Sequence, residues 1–235
     1  MRSGLSTGFF FPPAIVGAMA DEKIGVLGSG DVGRRLAGAF VDEGHSVMIG
    51  SRDTQKKELV AWREEKGPKA SVGSFEVTAA FGDLVVLAVL GKAAVPLVSS
   101  LADSLAGKVV IDATNPLEFS GDGPPTLFVS GDDSLGEQVQ RAAPKAKVVK
   151  AFNIIGNPDM YKPELAGGPP TMFYCGDDAE AKKQVAGLLE SFGHEPVDLG
   201  GIDASRYLEP MTMVWVRYGI ATGGWRHGFK MLGKS

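Results

Sequence analysis

The sequence predicts an α/β fold of the doubly wound kind, a mainly parallel sheet covered by helices on both faces and followed by a C-terminal helical segment. Three observations predict it. Short apolar runs alternate with helix-length stretches from Lys23 to Leu199. Several runs, such as Leu84-Val85-Val86-Leu87-Ala88-Val89, are apolar without alternation, as strands buried on both faces are. A glycine-rich turn, Gly28-Ser29-Gly30-Asp31-Val32-Gly33, joins the first run to the first amphipathic stretch.

The elements follow in order. Lys23–Leu27 is the first strand, and Asp31–Glu43 is a helix that Gly44 ends as its C′ residue. Ser46–Gly50 is the second strand, Gln55–Glu65 a helix, and a short strand falls near Lys69–Val72. Helix Phe75–Phe81 leads to strand Leu84–Val89, and helix Ala93–Ser104 to strand Lys108–Ala113. A loop rich in glycine, proline and aspartate covers 117–133, before helix Leu135–Ala142 and strand Ala146–Ala151. A second long loop, 156–170, precedes strand Thr171–Cys175. Asp178 caps helix Ala179–Phe192, Gly193 ends it, and Glu195–Leu199 is the last strand. Both long loops leave the sheet edge where ligands of such folds bind, which makes them candidate lids or plain surface loops. From Asp203 to Tyr218, Leu208, Met211, Trp215 and Tyr218 form one face of a helix bent at Pro210, expected as core or subunit interface.

At 235 residues, 44% hydrophobic and 22% charged, the chain has ordinary globular composition. The expected division is an N-terminal extension over 1–22, a dinucleotide-binding unit over 23–201, and a helical segment over 202–235 that closes the site or forms a subunit interface. The apolar run Phe9–Ala20 behind Arg2 ends in Ala18-Met19-Ala20, which imitates a signal-peptide cleavage site. Two prolines interrupt it, it is too short to span a bilayer, and Met19 precedes the polar Asp21-Glu22-Lys23. A late translation start or a loose tail, and a cytoplasmic protein, are therefore expected.

A net charge of −4 without a basic run argues against nucleic acid as a partner. A single cysteine, Cys175, excludes an internal disulfide and a cysteine-based zinc site. Its apolar surroundings make it a small hydrophobe, and the three histidines show no metal-ligand spacing, so no metal is expected.

The glycine turn predicts a dinucleotide. Gly28 permits the tight turn, Gly30 lets backbone approach a pyrophosphate, and Gly33 lets the helix lie close on the sheet. The first helical turn, Asp31 and Val32 included, then aims unpaired N–H groups and a positive dipole end at the phosphates. The end of the second strand selects the nucleotide: an acid there would bind the ribose 2′-hydroxyl of NAD, whereas this chain has Gly50-Ser51-Arg52 with Lys56 further on. A guanidinium beside a hydroxyl suits a 2′-phosphate, so NADP(H) is predicted, with Asp53 as the residue that could instead face the ribose. Asn115 and Asn153, just beyond two strand ends, are candidate amide contacts to ring carbonyls, and Asn115 before Pro116 could equally turn its loop. Lys150 could face the cleft or point away.

These segments, with Val148-Val149-Lys150-Ala151-Phe152-Asn153, Tyr174-Cys175-Gly176-Asp177-Asp178 and the closing Gly228-Phe229-Lys230-Met231-Leu232, resemble nearly end to end the NADPH-dependent reductases of coenzyme F-420, the 8-hydroxy-5-deazaflavin:NADP oxidoreductase family. The Lys-Ala-Phe-Asn form is also similar to the cytosolic reductase domain of six-transmembrane metalloreductases, whose membrane part this chain is expected to lack. The resemblance implies a Rossmann-type fold and hydride transfer between NADP(H) and a deazaflavin or a flavin (FMN or FAD). It implies that Ser29, Ser51, Arg52 and Lys56 meet the 2′-phosphate and that Val89 and Leu90 line the nicotinamide end. The second cofactor would lie against Asn153, Ile155 and the region of Asn115. It also implies a homodimer. Archaeal members carry a histidine where this chain has Asn153, which leaves the hydride partner open. Hydride transfer asks the protein mainly for distance and stacking, in keeping with a sequence that shows no catalytic triad. A reductase of a small carbonyl or imine, and a non-catalytic NADPH-binding module, are the competing readings.

Overall fold

The computed structural model describes residues 21–121 and 123–233. The apolar run Phe9–Ala20, and nearly all of the expected N-terminal extension, lie outside them.

Among the described residues the main sheet has eight strands in spatial order β10-β9-β8-β5-β4-β1-β2-β3. In chain order the elements are β1 (Lys23–Leu27), α1 (Asp31–Asp42), β2 (Ser46–Gly50), α2 (Lys57–Lys66), β3 (Ala70–Gly73), α3 (Phe75–Phe81) and β4 (Leu84–Leu87). There follow α4 (Gly91–Ser100), α5 (Ala102–Leu105), β5 (Val109–Asp112), the short β6 (Leu117–Glu118) and β7 (Thr126–Leu127), α6 (Leu135–Ala142) and β8 (Lys147–Lys150). Last come β9 (Thr171–Gly176), α7 (Ala179–Ser191), β10 (Glu195–Asp198) and α8 (Ser205–Thr222).

The doubly wound reading holds. Strand β1 is central, with β2 on one side and β4 on the other, so the connections reverse direction between β1 and β4 and open a crevice at their carboxyl ends. The helix expected over Ala93–Ser104 is two helices parted at Leu101 and beginning at Gly91. The loop 117–133 is not wholly irregular: β6 and β7 pair antiparallel within it. Cys175 is fully buried, as its apolar neighbours predicted.

Strand β9 runs antiparallel to β8, with Lys150 opposite Cys175. A parallel partner needs a crossover that carries the chain back to the starting edge. Residues 151–170 contain only a single 3-10 turn, so the chain stays at the carboxyl edge and must re-enter the sheet in the opposite sense. Beyond α8 the tail returns to this edge, where Thr171 N–H donates to the Phe229 carbonyl.

Candidate functional site

The three glycines of the turn occupy different environments. Gly28 has φ +133°, and a Cβ there would lie 2.2 Å from the Ala88 carbonyl oxygen at the end of β4. A Cβ on Gly33 would lie 2.1 Å from the Gly28 carbonyl oxygen, so α1 sits directly on the turn. Among the described residues, a Cβ on Gly30 would meet nothing within 4 Å. That position faces open space, which is the cradle a pyrophosphate requires and any side chain would fill. Among the described residues no side chain caps α1, which leaves its first-turn N–H groups, from Asp31 to Gly33, for an anion. Arg34, three residues on, donates to the Ser29 carbonyl at 2.8 Å and pairs with Asp31, bracing the turn from outside.

The second group gathers beside it. Ser51 is buried, its N–H donating to the Gly73 carbonyl, and its Oγ lies 3.2 Å from Ser29 Oγ. Arg52 and Lys56 are exposed, and among the described residues neither pairs with a carboxylate. Lys56 stands at the N-cap position of α2 and not within the helix. Asp53 turns back on its own loop and accepts from Gln55 N–H at 2.9 Å.

The third group stands at the carboxyl ends of β4, β5 and β8. Val89 is half-buried, and Leu90 is 80% exposed although apolar. A Cβ on Gly91 would lie 2.2 Å from the Asn115 carbonyl oxygen, so the loop after β4 rests on the loop after β5. Asn115 and Asn153 are brought together: Asn115 Nδ2 donates to the Asn153 carbonyl at 2.8 Å, and Asn153 Nδ2 faces Asn115 Oδ1 at 3.1 Å. Asn153 Nδ2 also faces the Leu208 carbonyl at 2.9 Å and Thr212 Oγ1 at 3.3 Å, so its amide hydrogens are directed inside the protein. Ile155 is buried in the core, with Gly228 of the tail beside it.

Lys150 points inward. Its ammonium lies 3.0 Å from Asp112 Oδ2 and 2.8 Å from Glu209 Oε1, and all three groups are buried. Burial opposes the charge, but the two carboxylates outweigh it and hold the amine above its ordinary pKa. Glu209 also accepts from Leu135 and Gly136 N–H at 2.9 and 2.8 Å, tying α8 to the N-terminus of α6. Asp112 is completed by Thr114, whose N–H and Oγ1 donate to Oδ1 at 2.9 and 2.6 Å.

Three participants had not been singled out from the sequence. Glu209 is a lone carboxylate beside Leu208 on an apolar stripe, a signal that could have been read; Thr212 offers none. Phe152 adopts φ +64°, a left-handed angle costly for a bulky residue, with its ring buried against Phe192 and His194. That turn delivers Asn153 to the sheet edge.

The chain is similar to several known proteins. Residues 23–116 match the family described as NADP oxidoreductase, coenzyme F420-dependent. The crystal structure of a provisionally assigned F420-dependent NADP reductase from Arthrobacter sp. FB24 is similar with a TM-score of 0.85 and 41% identity, covering 90% of this chain and 100% of that one. The F420-dependent NADP reductase of Methanothermobacter thermautotrophicus is 29% identical over 84% of this chain and 89% of its own length. Metalloreductase STEAP3 of Rattus norvegicus is 30% identical over 81% of this chain, which spans only 36% of that protein.

Proposed function

The chain belongs to the family of coenzyme F420-dependent NADP oxidoreductases, and from that premise we propose that it transfers a hydride between NADP(H) and a deazaflavin of the coenzyme F420 type or a flavin (FMN or FAD). The observation that carries this reading is the space left open at Gly30 by the described residues, at the start of a helix uncapped among them, beside the Ser29–Ser51 hydroxyl pair that Arg52 follows in the chain.

Each group has a part. The turn Gly28 to Gly33 and the first N–H groups of α1 hold the pyrophosphate. Ser29, Ser51, Arg52 and Lys56 hold the 2′-phosphate, Arg52 in bidentate fashion. Val89 and the exposed Leu90 give the nicotinamide an apolar surface, and Asn115, which keeps one amide hydrogen spare, is the donor to a ring carbonyl. When bound, the nicotinamide and the tricyclic ring supply the redox chemistry themselves, and the protein supplies approach distance and exclusion of water.

Residues 23–201 form the nucleotide-binding unit of this reading, and 202–235 the helical segment that closes it. The stripe on α8 divides: Leu208 is fully buried, Met211 and Trp215 are half-buried, and Tyr218 is exposed; Tyr218, with the exposed Tyr207, Val214 and Ile220 of the same helix, would serve a homodimer contact. No helix among the described residues is long and apolar enough to cross a membrane. A cytoplasmic location fits the use of NADPH.

Stopped-flow oxidation of NADPH, with a deazaflavin, FMN and FAD supplied in turn, tests the reading. Rapid oxidation with one of them is expected. Tight binding of NADPH without oxidation by any acceptor would leave a binding module instead. A monomer by light scattering would remove the homodimer.

A further inference from the structure

We propose that Thr212 is the positioning residue of the hydride-transfer end of the cleft, its hydroxyl fixing the facing amides of Asn115 and Asn153. The inference rests on the hydride-transfer reading above and adds to it a residue of α8, remote in sequence from the nucleotide site.

Thr212 Oγ1 is buried, 2.8 Å from Asn115 Oδ1, 2.8 Å from the Asn153 carbonyl and 3.3 Å from Asn153 Nδ2. A hydroxyl has one hydrogen to give. That hydrogen has two acceptors at equal distance, Asn115 Oδ1 and the Asn153 carbonyl, each of which also faces the other residue's Nδ2, and the hydroxyl oxygen is left to accept from Asn153 Nδ2. The two ends of an amide have nearly the same shape, so its facing is decided by such partners. The acceptor-only Asn153 carbonyl sets which end of the Asn115 amide faces inward, and Thr212, touching Asn115 Oδ1 and both the carbonyl and the amide of Asn153, locks the two residues in that arrangement at the carboxyl end of β5. The same oxygen braces the segment after Phe152, whose φ of +64° persists only if its surroundings impose it.

Thr212 is itself held to a fixed depth. One helical turn earlier, Glu209 meets Lys150 at 2.8 Å and the α6 N-terminus at 2.8 and 2.9 Å. The chain of contact runs from β8 through α8 to Asn115, and on to Gly91 in the loop where the nicotinamide end is proposed to lie. Rigid support of this kind matters because small displacements of reacting atoms lower the rate steeply.

Thr212→Val removes the hydroxyl and keeps the shape; Thr212→Ser keeps the hydroxyl. The valine variant is expected to lose about tenfold or more in kcat, with the KM and Kd for NADPH within about twofold of wild type. The serine variant should recover most of the rate. Unchanged kcat in the valine variant, or equal losses in both variants, overturns the proposal. Should the valine protein not fold, Thr212→Ala carries the same comparison. If the unaltered protein oxidises NADPH with no acceptor, the functional reading falls. Thr212 is then judged on bound NADPH alone: fluorescence emission altered by valine but not by serine supports it, and unaltered emission overturns it.

Discussion

Lys150 Nζ lies 2.8 Å from Glu209 Oε1, with both side chains shut off from solvent and Asp112 completing the group at 3.0 Å. The three charges join β5, β8 and α8, so the helix that covers the carboxyl edge is anchored by an ion pair in the middle of the protein. Such a group is costly to break from one side, because the remaining charges stay buried.

Lys150→Met should therefore destabilise the protein by about 3–5 kcal/mol. The sign with pH follows from the direction of the shifts. The Lys150 pKa is raised above 10.5, so the wild-type contribution is complete below that value and lost only as pH rises through the folded one. In the variant, two buried carboxylates are left without their cation, which is the source of the deficit. Thermal unfolding of both proteins near pH 7 checks it; a variant as stable as the wild type would refute the assignment.

At the other end of the crevice, Arg52→Ala should raise the Kd for NADPH about tenfold or more, the value of one charge-assisted hydrogen bond, and leave that for NADH nearly unchanged. Calorimetry with both nucleotides decides. Equal losses for the two would remove the 2′-phosphate from this site.

Gly30→Leu and Gly28→Ala should fail in different ways. At Gly30 the added side chain enters open space on ordinary backbone, so the fold should keep its stability to within about 0.5 kcal/mol while NADPH binding is lost. At Gly28 the φ of +133° and the Ala88 carbonyl 2.2 Å away make even one methyl group disruptive to the fold. A Gly30→Leu protein that still bound NADPH tightly would place the pyrophosphate elsewhere.

His194 should make the fold sensitive to mild acid. Burial lowers its pKa, against the pull of the Met160 carbonyl and Asp159, and its Nδ1 has no partner among the described residues. A lowered histidine pKa means that stability present above 6.5 is lost as pH falls toward the folded value. His194→Phe should abolish that loss, so the gap between variant and wild type should narrow from about pH 7 to pH 5 in urea unfolding. A constant gap would mean that His194 does not titrate on unfolding.

Cys175 should be inert in the folded protein. Burial pushes its thiol up to about 11 and leaves it no solvent access. A chromogenic disulfide reagent near neutral pH should react only after denaturant is added, and rapid labelling of the native protein would contradict the burial.

The strands, most helices and the nucleotide turn were legible in the chain because their causes are local. Steric demands single out Gly28 and Gly33, a continuous apolar run marks β4, and Asp178 caps α7 three residues ahead through Ala181 N–H. Ser51 and Arg52 were likewise readable, since their place at the end of β2 follows from counting along one βαβ unit.

The sequence by itself thus determined the doubly wound architecture and the polar groups set beside the glycine turn. Only the tertiary structure decided that β9 turns antiparallel, that Lys150 points inward to Glu209, and that Asn153 directs its amide hydrogens to Leu208, Asn115 and Thr212. The physical reason is range. Steric and periodic signals act over a few residues, whereas the partner of a buried polar group is whichever group packing brings within hydrogen-bond distance, and nothing in the neighbouring sequence names it.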